Sequence, residues 1–91
     1  MFKVTGNKGF HLTFDNGYNI SIQWGAMNYA DHYNGYEKSS NTAEVAIWYE
    51  HGPFLPHSGS DGEIVSGYRL AEEVAALIYS TSRRKKKGTL L

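Results

Sequence analysis

Phe10-His11-Leu12-Thr13-Phe14-Asp15-Asn16-Gly17-Tyr18-Asn19-Ile20-Ser21-Ile22-Gln23-Trp24 is the stretch that decides the fold. Apolar residues alternate with polar ones on both sides of Asp15-Asn16-Gly17, the period-two signature of two half-buried strands. The length of the turn sets the register. A two-residue Asn16-Gly17 loop would pair Phe14 with Asn19 and Thr13 with Ile20, placing apolar residues opposite polar ones down the ladder. A three-residue loop, Asp15 to Gly17, pairs Phe14 with Tyr18, Leu12 with Ile20 and Phe10 with Ile22, and puts glycine where positive φ is needed. The expectation is the second register, with strands over Lys8 to Phe14 and Tyr18 to Trp24. One face of this hairpin is then committed to a core, and the other face and the loops carry whatever the protein does.

On the N-terminal side, Met1 to Val4 has room for a short edge strand. On the C-terminal side, residues 25 to 42 show no apolar period, which predicts a long loop; loops of that length in a small domain are usually functional or disordered, and the aromatic rings here argue against simple disorder. Ala43 to Tyr49 predicts a third strand with Val45, Ile47 and Tyr49 on the core face and Glu44, Ala46 and Trp48 on the other. Pro53, Pro56 and three glycines make Glu50 to Gly62 a second irregular connection. Glu63 to Val65 reads as a brief fourth strand. A helix then opens at Ser66 or Gly67 and runs to about Ser82, with Leu70, Val74, Leu77, Ile78 and Thr81 as its apolar stripe, supported by Ala71 and Ala75. Together these predict an α+β fold, an antiparallel three- to four-stranded sheet packed by one C-terminal helix. Residues 1–82 form the single domain, and 83–91 a basic flexible tail.

The formal net charge of zero hides a division. Five of the nine basic residues form the run Arg83-Arg84-Lys85-Lys86-Lys87, leaving Lys3, Lys8, Lys38 and Arg69 against nine acidic residues in the body. The body is therefore acidic, about minus five, and repels nucleic acid; the tail does the opposite. The chain has no cysteine, so no disulfide supports it. With no apolar run of about 20 residues and no signal-peptide pattern, the expectation is a cytoplasmic protein without membrane contact.

The loop from Asn28 to Tyr36 is the sharpest candidate site. Tyr29, Tyr33 and Tyr36 offer large contact areas with few rotatable bonds, and Asp31, His32 and Glu37 supply polar contacts. The competing reading is that these rings plug the open end of a small sheet. Glu44, Trp48 and Glu50 share one strand face, so two acids flank a tryptophan that could grip a cation or a sugar; a solvated strand gives the same spacing. The histidines His11, His32, His51 and His57 have neither the i, i+4 spacing nor the cysteine context of a zinc site, so no metal is expected. There is no cysteine nucleophile, no Gly-x-Ser-x-Gly elbow and no phosphate-cradling glycine loop before a helix. The expectation is a protein that is not an enzyme and uses no cofactor.

The residues Gly9 to Gly25, together with Ala43-Glu44-Val45-Ala46-Ile47-Trp48 and Val65-Ser66-Gly67-Tyr68-Arg69-Leu70-Ala71-Glu72-Glu73-Val74, resemble a group of small accessory proteins of tailed phages and prophages with no assigned chemistry. The resemblance covers most of residues 6 to 80, and the basic run lies outside it. It implies a protein that binds and blocks host machinery, including CRISPR effectors and other defence systems, and it carries no functional residues over. Three functions follow as expectations. The first is an anti-defence inhibitor that binds a host nucleic-acid-handling complex through Tyr29, Tyr33, Tyr36, Trp48 and the acids Asp31, Glu37, Glu44 and Glu50. The second is a small-ligand protein that sequesters a nucleotide signal with Lys8, Arg69, His32 and the tyrosines. The third is nucleic-acid binding through the basic tail, ranked last because the body is acidic. Trp48 on an uncovered face is also a possible homodimer contact.

Overall fold

The structure, a computed structural model, describes residues 1–4, 9–25 and 40–85. The elements are β1 (Phe2–Val4), β2 (Gly9–Thr13), β3 (Tyr18–Gln23), β4 (Thr42–Tyr49), β5 (Phe54–Leu55), β6 (Val65–Leu70) and α1 (Ala71–Ser82). The fold is α+β, an antiparallel sheet packed by one C-terminal helix. The sheet runs β1-β2-β3-β4-β5, and β6 also pairs with β4. The two pieces β5 and β6 therefore share one edge of β4: Leu55 and Phe54 pair with Ile47 and Trp48, and Val65 to Leu70 pair with Ala46 to Thr42.

The hairpin register is the one the alternation predicts. Phe10 lies opposite Ile22 and Leu12 opposite Ile20, and the Phe14 amide donates to the Tyr18 carbonyl at 2.9 Å to close the three-residue turn. Gly17 has a φ of +90°, and a Cβ there would also lie 2.9 Å from the Tyr49 ring. Conformation and packing both demand glycine at this position.

The core forms where the inward residues of β2, β3 and β4 meet the helix. Leu12, Ile20, Ile22, Val45, Ile47 and Leu77 are all buried, and Val74 and Ile78 pack against them. Asn16 ties the hairpin turn to the far end of α1. Its Oδ1 accepts from the Tyr18 amide, while its Nδ2 donates to the carbonyls of Thr81 and Arg84, each at 2.9 Å. The side chain thus adds a donor to the carbonyls at the helix end, where the Thr81 carbonyl otherwise accepts only a long 3.3 Å bond from the Arg84 amide. Arg83 and Arg84, assigned by sequence to the tail, lie against the body, with the Arg84 guanidinium 4.7 Å from the centre of the Tyr18 ring and that of Arg83 5.9 Å from Tyr79.

Three expectations need correction. The sheet has five to six strands rather than three to four, because β5 is too short to register as a period. The segment read as a helix start is strand: β6 extends to Leu70, and α1 begins at Ala71, where the Leu70 amide donates to the Glu73 carboxylate at 2.9 Å. Leu70, placed in the apolar stripe, is accordingly 48% exposed, whereas Leu77 and Thr81 are buried as expected. Third, Glu50 lies beyond the end of β4 in a turn with a φ of +52°, so it does not continue the strand face of Glu44 and Trp48.

A bulge in β6 shapes the helix side of the sheet. Ala43 pairs with Arg69 and Val45 with Ser66, so β6 spends one more residue than β4 over this span. The extra residue is absorbed at Gly67-Tyr68, with Tyr68 at a φ of +53°. Simple alternation would put Ser66 and Arg69 on opposite faces. The bulge puts both on the face of Ala43 and Val45, under the helix.

Candidate functional site

Helix α1 covers one face of the sheet, and among the described residues no element covers the other. The register assigns Lys3, His11, Ser21 and Ala46 to one cross-strand row of this outer face, and Thr13, Asn19, Trp48 and Phe54 to the next. Aromatic rings run obliquely across it. His11 meets Trp48 edge-on with ring centres 5.2 Å apart, and Trp48 lies 5.3 Å from Phe54. His11 and Trp48 stand on β2 and β4, so their contact spans β3, whose side chains here are the small Asn19 and Ser21. These two polar residues and Ala46 are buried although no helix lies above them.

Hydrogen bonds fix the floor beneath the rings. The Thr13 hydroxyl donates to Asn19 Oδ1 at 2.7 Å, and Asn19 Nδ2 donates to the Glu50 carbonyl at 3.1 Å. The Glu50 amide in turn donates to the Gly17 carbonyl at 2.8 Å. A depression of about 380 Å³ opens beside Trp48, with Lys3, His11, Glu50 and His51 among its walls. Partial burial, and secondarily the charge of Lys3, hold the His11 pKa below its ordinary value of 6.5. His11 is therefore mostly neutral at pH 7 and offers one donor and one acceptor. A half-buried indole, an adjoining ring and charges of both signs at the rim are the ingredients of a recognition surface.

Of the residues named from sequence, Trp48 stands at the centre of this face. Glu44 shares the face but pairs with Gln23 toward its far end, about 13 Å from Trp48 along the strand. Glu50 reaches the depression from its turn. The two acids therefore do not form a pair around the indole. Tyr29, Asp31, His32, Tyr33, Tyr36 and Glu37 lie outside the described residues, as does Lys8. Sequence reasoning missed His11, Lys3 and Phe54. The first two were legible, since a third strand antiparallel to β2 sets Lys3 beside His11; Phe54 depends on a two-residue strand that no period announces.

It also missed a pairing on the helix side. His57 Nε2 lies 2.7 Å from the Ser66 hydroxyl and Nδ1 lies 3.2 Å from the Leu55 carbonyl. A carbonyl can only accept, so the neutral ring carries its proton on Nδ1 and accepts from Ser66 at Nε2. Burial outweighs the opposing Leu55 hydrogen bond and, with the nearby Arg69 charge, lowers the His57 pKa below 6.5. Ser66 is 6% exposed, so the pair acts as an internal tie between the 56–64 loop and β6. Among the described residues no three of His, Asp and Glu gather as metal ligands would, and no helix is long and apolar enough to cross a membrane. Compared with known proteins, the chain matches no family model, no curated protein and no solved structure.

Proposed function

We propose that this protein is a non-catalytic binding protein that engages a partner protein through the outer face of its sheet, with Trp48 as the anchor. The observation that carries this reading is the row His11, Trp48 and Phe54, a set of rings on the uncovered face with Phe54 43% exposed. Aromatic anchors on a rigid floor contribute most of the energy of many interfaces, because little side-chain freedom is lost on docking. The floor here is rigid by construction, since Asn19 is held by hydrogen bonds from one strand and to the turn after another.

The resemblance of residues 9–25, 43–48 and 65–74 to phage accessory proteins favours a host protein as the partner and blocking as the outcome, with a nucleic-acid-handling defence complex as the leading class. The test is capture from nuclease-treated bacterial lysate by the tagged chain and by its Trp48→Ala and Phe54→Ala variants, read by mass spectrometry. The expected result is one stoichiometric host protein retained by the parent and lost with Trp48→Ala. Equal capture by both variants, or no stoichiometric protein, would overturn the reading.

A further inference from the structure

The depression beside Trp48 on the outer face holds two charges that the fold leaves unpaired. Glu50 and Lys3 both line it, yet among the described residues neither side chain makes a hydrogen bond or an ion pair. Lys3 is accounted for by its place in the sheet. It stands on β1, whose far side has no neighbouring strand among the described residues, and a lysine on an edge strand discourages further pairing. Glu50 has no such explanation.

Its backbone occupies a position that suits glycine. The Gly52 amide donates to the Tyr49 carbonyl at 2.9 Å, closing a turn whose first central residue, Glu50, has a φ of +52° while the second, His51, does not have a positive φ. Glycine is the preferred residue at such a position. The surroundings explain the conformation, because the Glu50 amide donates to the Gly17 carbonyl and the Glu50 carbonyl accepts from Asn19 Nδ2. Both bonds use the backbone alone, and a glycine would make them without strain. What glutamate adds is a carboxylate at the edge of the depression, and strained residues held in place by their surroundings gather at binding sites.

We infer that this depression receives an arginine side chain of the partner protein, its guanidinium laid on the Trp48 indole and paired with the Glu50 carboxylate. The inference rests on the proposal that the outer face binds a protein. A planar guanidinium stacks on an indole and still presents a fork of donors to a carboxylate, which a lysine ammonium does not. The adjoining His11 ring adds little opposing charge at pH 7, since burial favours its neutral form. The fixed cations at the rim, Lys3 and the terminal ammonium of Met1, lie on the β1 side, three strand spacings from β4, and the ammonium donates to the Thr13 carbonyl at 2.8 Å. Three spacings are roughly 14 Å, a distance over which exposed charges are largely screened at physiological salt. The body that carries the site is acidic, about minus five over residues 1–82, which draws basic partner surfaces.

The test uses three blocked amino acids: N-acetyl-arginine amide, its uncharged isostere N-acetyl-citrulline amide, and N-acetyl-glutamate amide with the opposite charge. Each is titrated at low salt into the isotope-labelled full-length chain and followed by NMR. The arginine probe is expected to shift the Trp48 indole saturably and leave the Trp24 indole unmoved. It should bind about tenfold tighter than the citrulline probe, as a charged hydrogen bond and a cation–π contact together allow. Glu50→Gln should erase that preference, and Lys3→Gln should raise it. Glu50→Gly should also erase it while raising the melting temperature, because glycine accepts the positive φ. No saturable shift at Trp48, equal binding of arginine and citrulline, tighter binding of the glutamate probe, an unchanged preference in Glu50→Gln, or a Glu50→Gly variant less stable than the parent would each overturn the inference. Such a result would leave the protein-binding proposal standing wherever capture of a host protein still depends on Trp48. Arginine binding as expected with no host protein captured would overturn that proposal alone.

Discussion

The two faces of this sheet are closed by different means. On the inner face Ile20, Val45 and Ile47 are fully buried beneath a helix that delivers Leu77, and a break in alternation admits Arg69. On the outer face no helix arrives among the described residues, yet Asn19, Ser21 and Ala46 are as hidden as core residues. There the cover comes from the sheet's own long side chains, with Trp48 reaching across β3 to His11. A face closed by its own rings remains accessible to a partner in a way that a face closed by a helix does not. The same indole shields the floor and presents a surface.

The sharpest way to break this contrast is to truncate one residue on each face and compare the costs by equilibrium denaturation. Ile47→Ala opens a cavity in a fully buried site and should cost ~2–5 kcal/mol. Trp48→Ala should cost ~1–2 kcal/mol, because a half-buried ring loses only part of its burial. If the two losses were equal, the outer face would be a second core and Trp48 would have little to offer a partner. Next in size is Asn16→Ala, which removes the clamp between the hairpin turn and the end of α1. It should cost ~1–2 kcal/mol and raise amide exchange in the last helical turn; unchanged exchange there would mean that packing alone holds the helix end.

The smallest expected effect separates the faces by pH. His11 on the outer face and His57 on the inner side both have folded pKa values below 6.5. The unfolded chain therefore binds protons that the folded chain refuses. Stability is complete above about pH 6.5 and falls as the pH drops below it. His57→Gln and His11→Gln should each flatten part of the decline in melting temperature. A partner bound on the outer face should alter the His11 contribution and leave that of His57 unchanged. A decline that persists undiminished in the double variant would assign it to other groups.

How much of this was legible follows from the range over which each signal acts. The hairpin register was legible, because Phe10, Leu12, Phe14 and their opposites alternate around a turn whose glycine fixes its length. The faces of β4 followed from the same period. The start of α1 was not, because Leu70 sits at helical spacing before Val74 and the Gly67-Tyr68 bulge erases the alternation that would have marked β6. The same bulge concealed that Arg69 faces the helix. Contacts made by folding were illegible on principle: His57 finds Ser66 nine residues away, and the ring row needs β2, β4 and β5 side by side. Of the candidate site, Trp48 was legible as a large ring on the face opposite the core.

The Asn16 clamp also bears on time. Its partner Thr81 lies 65 residues further along the chain, so a nascent chain can close the hairpin early but cannot lock it until the last helical turn has been made. Long-range closures of this kind form late and slow a fold down. The amide of a hairpin turn thus works as a latch that reports completion, since a chain that ends before the last helical turn keeps the hairpin's register but has nothing to fasten it to.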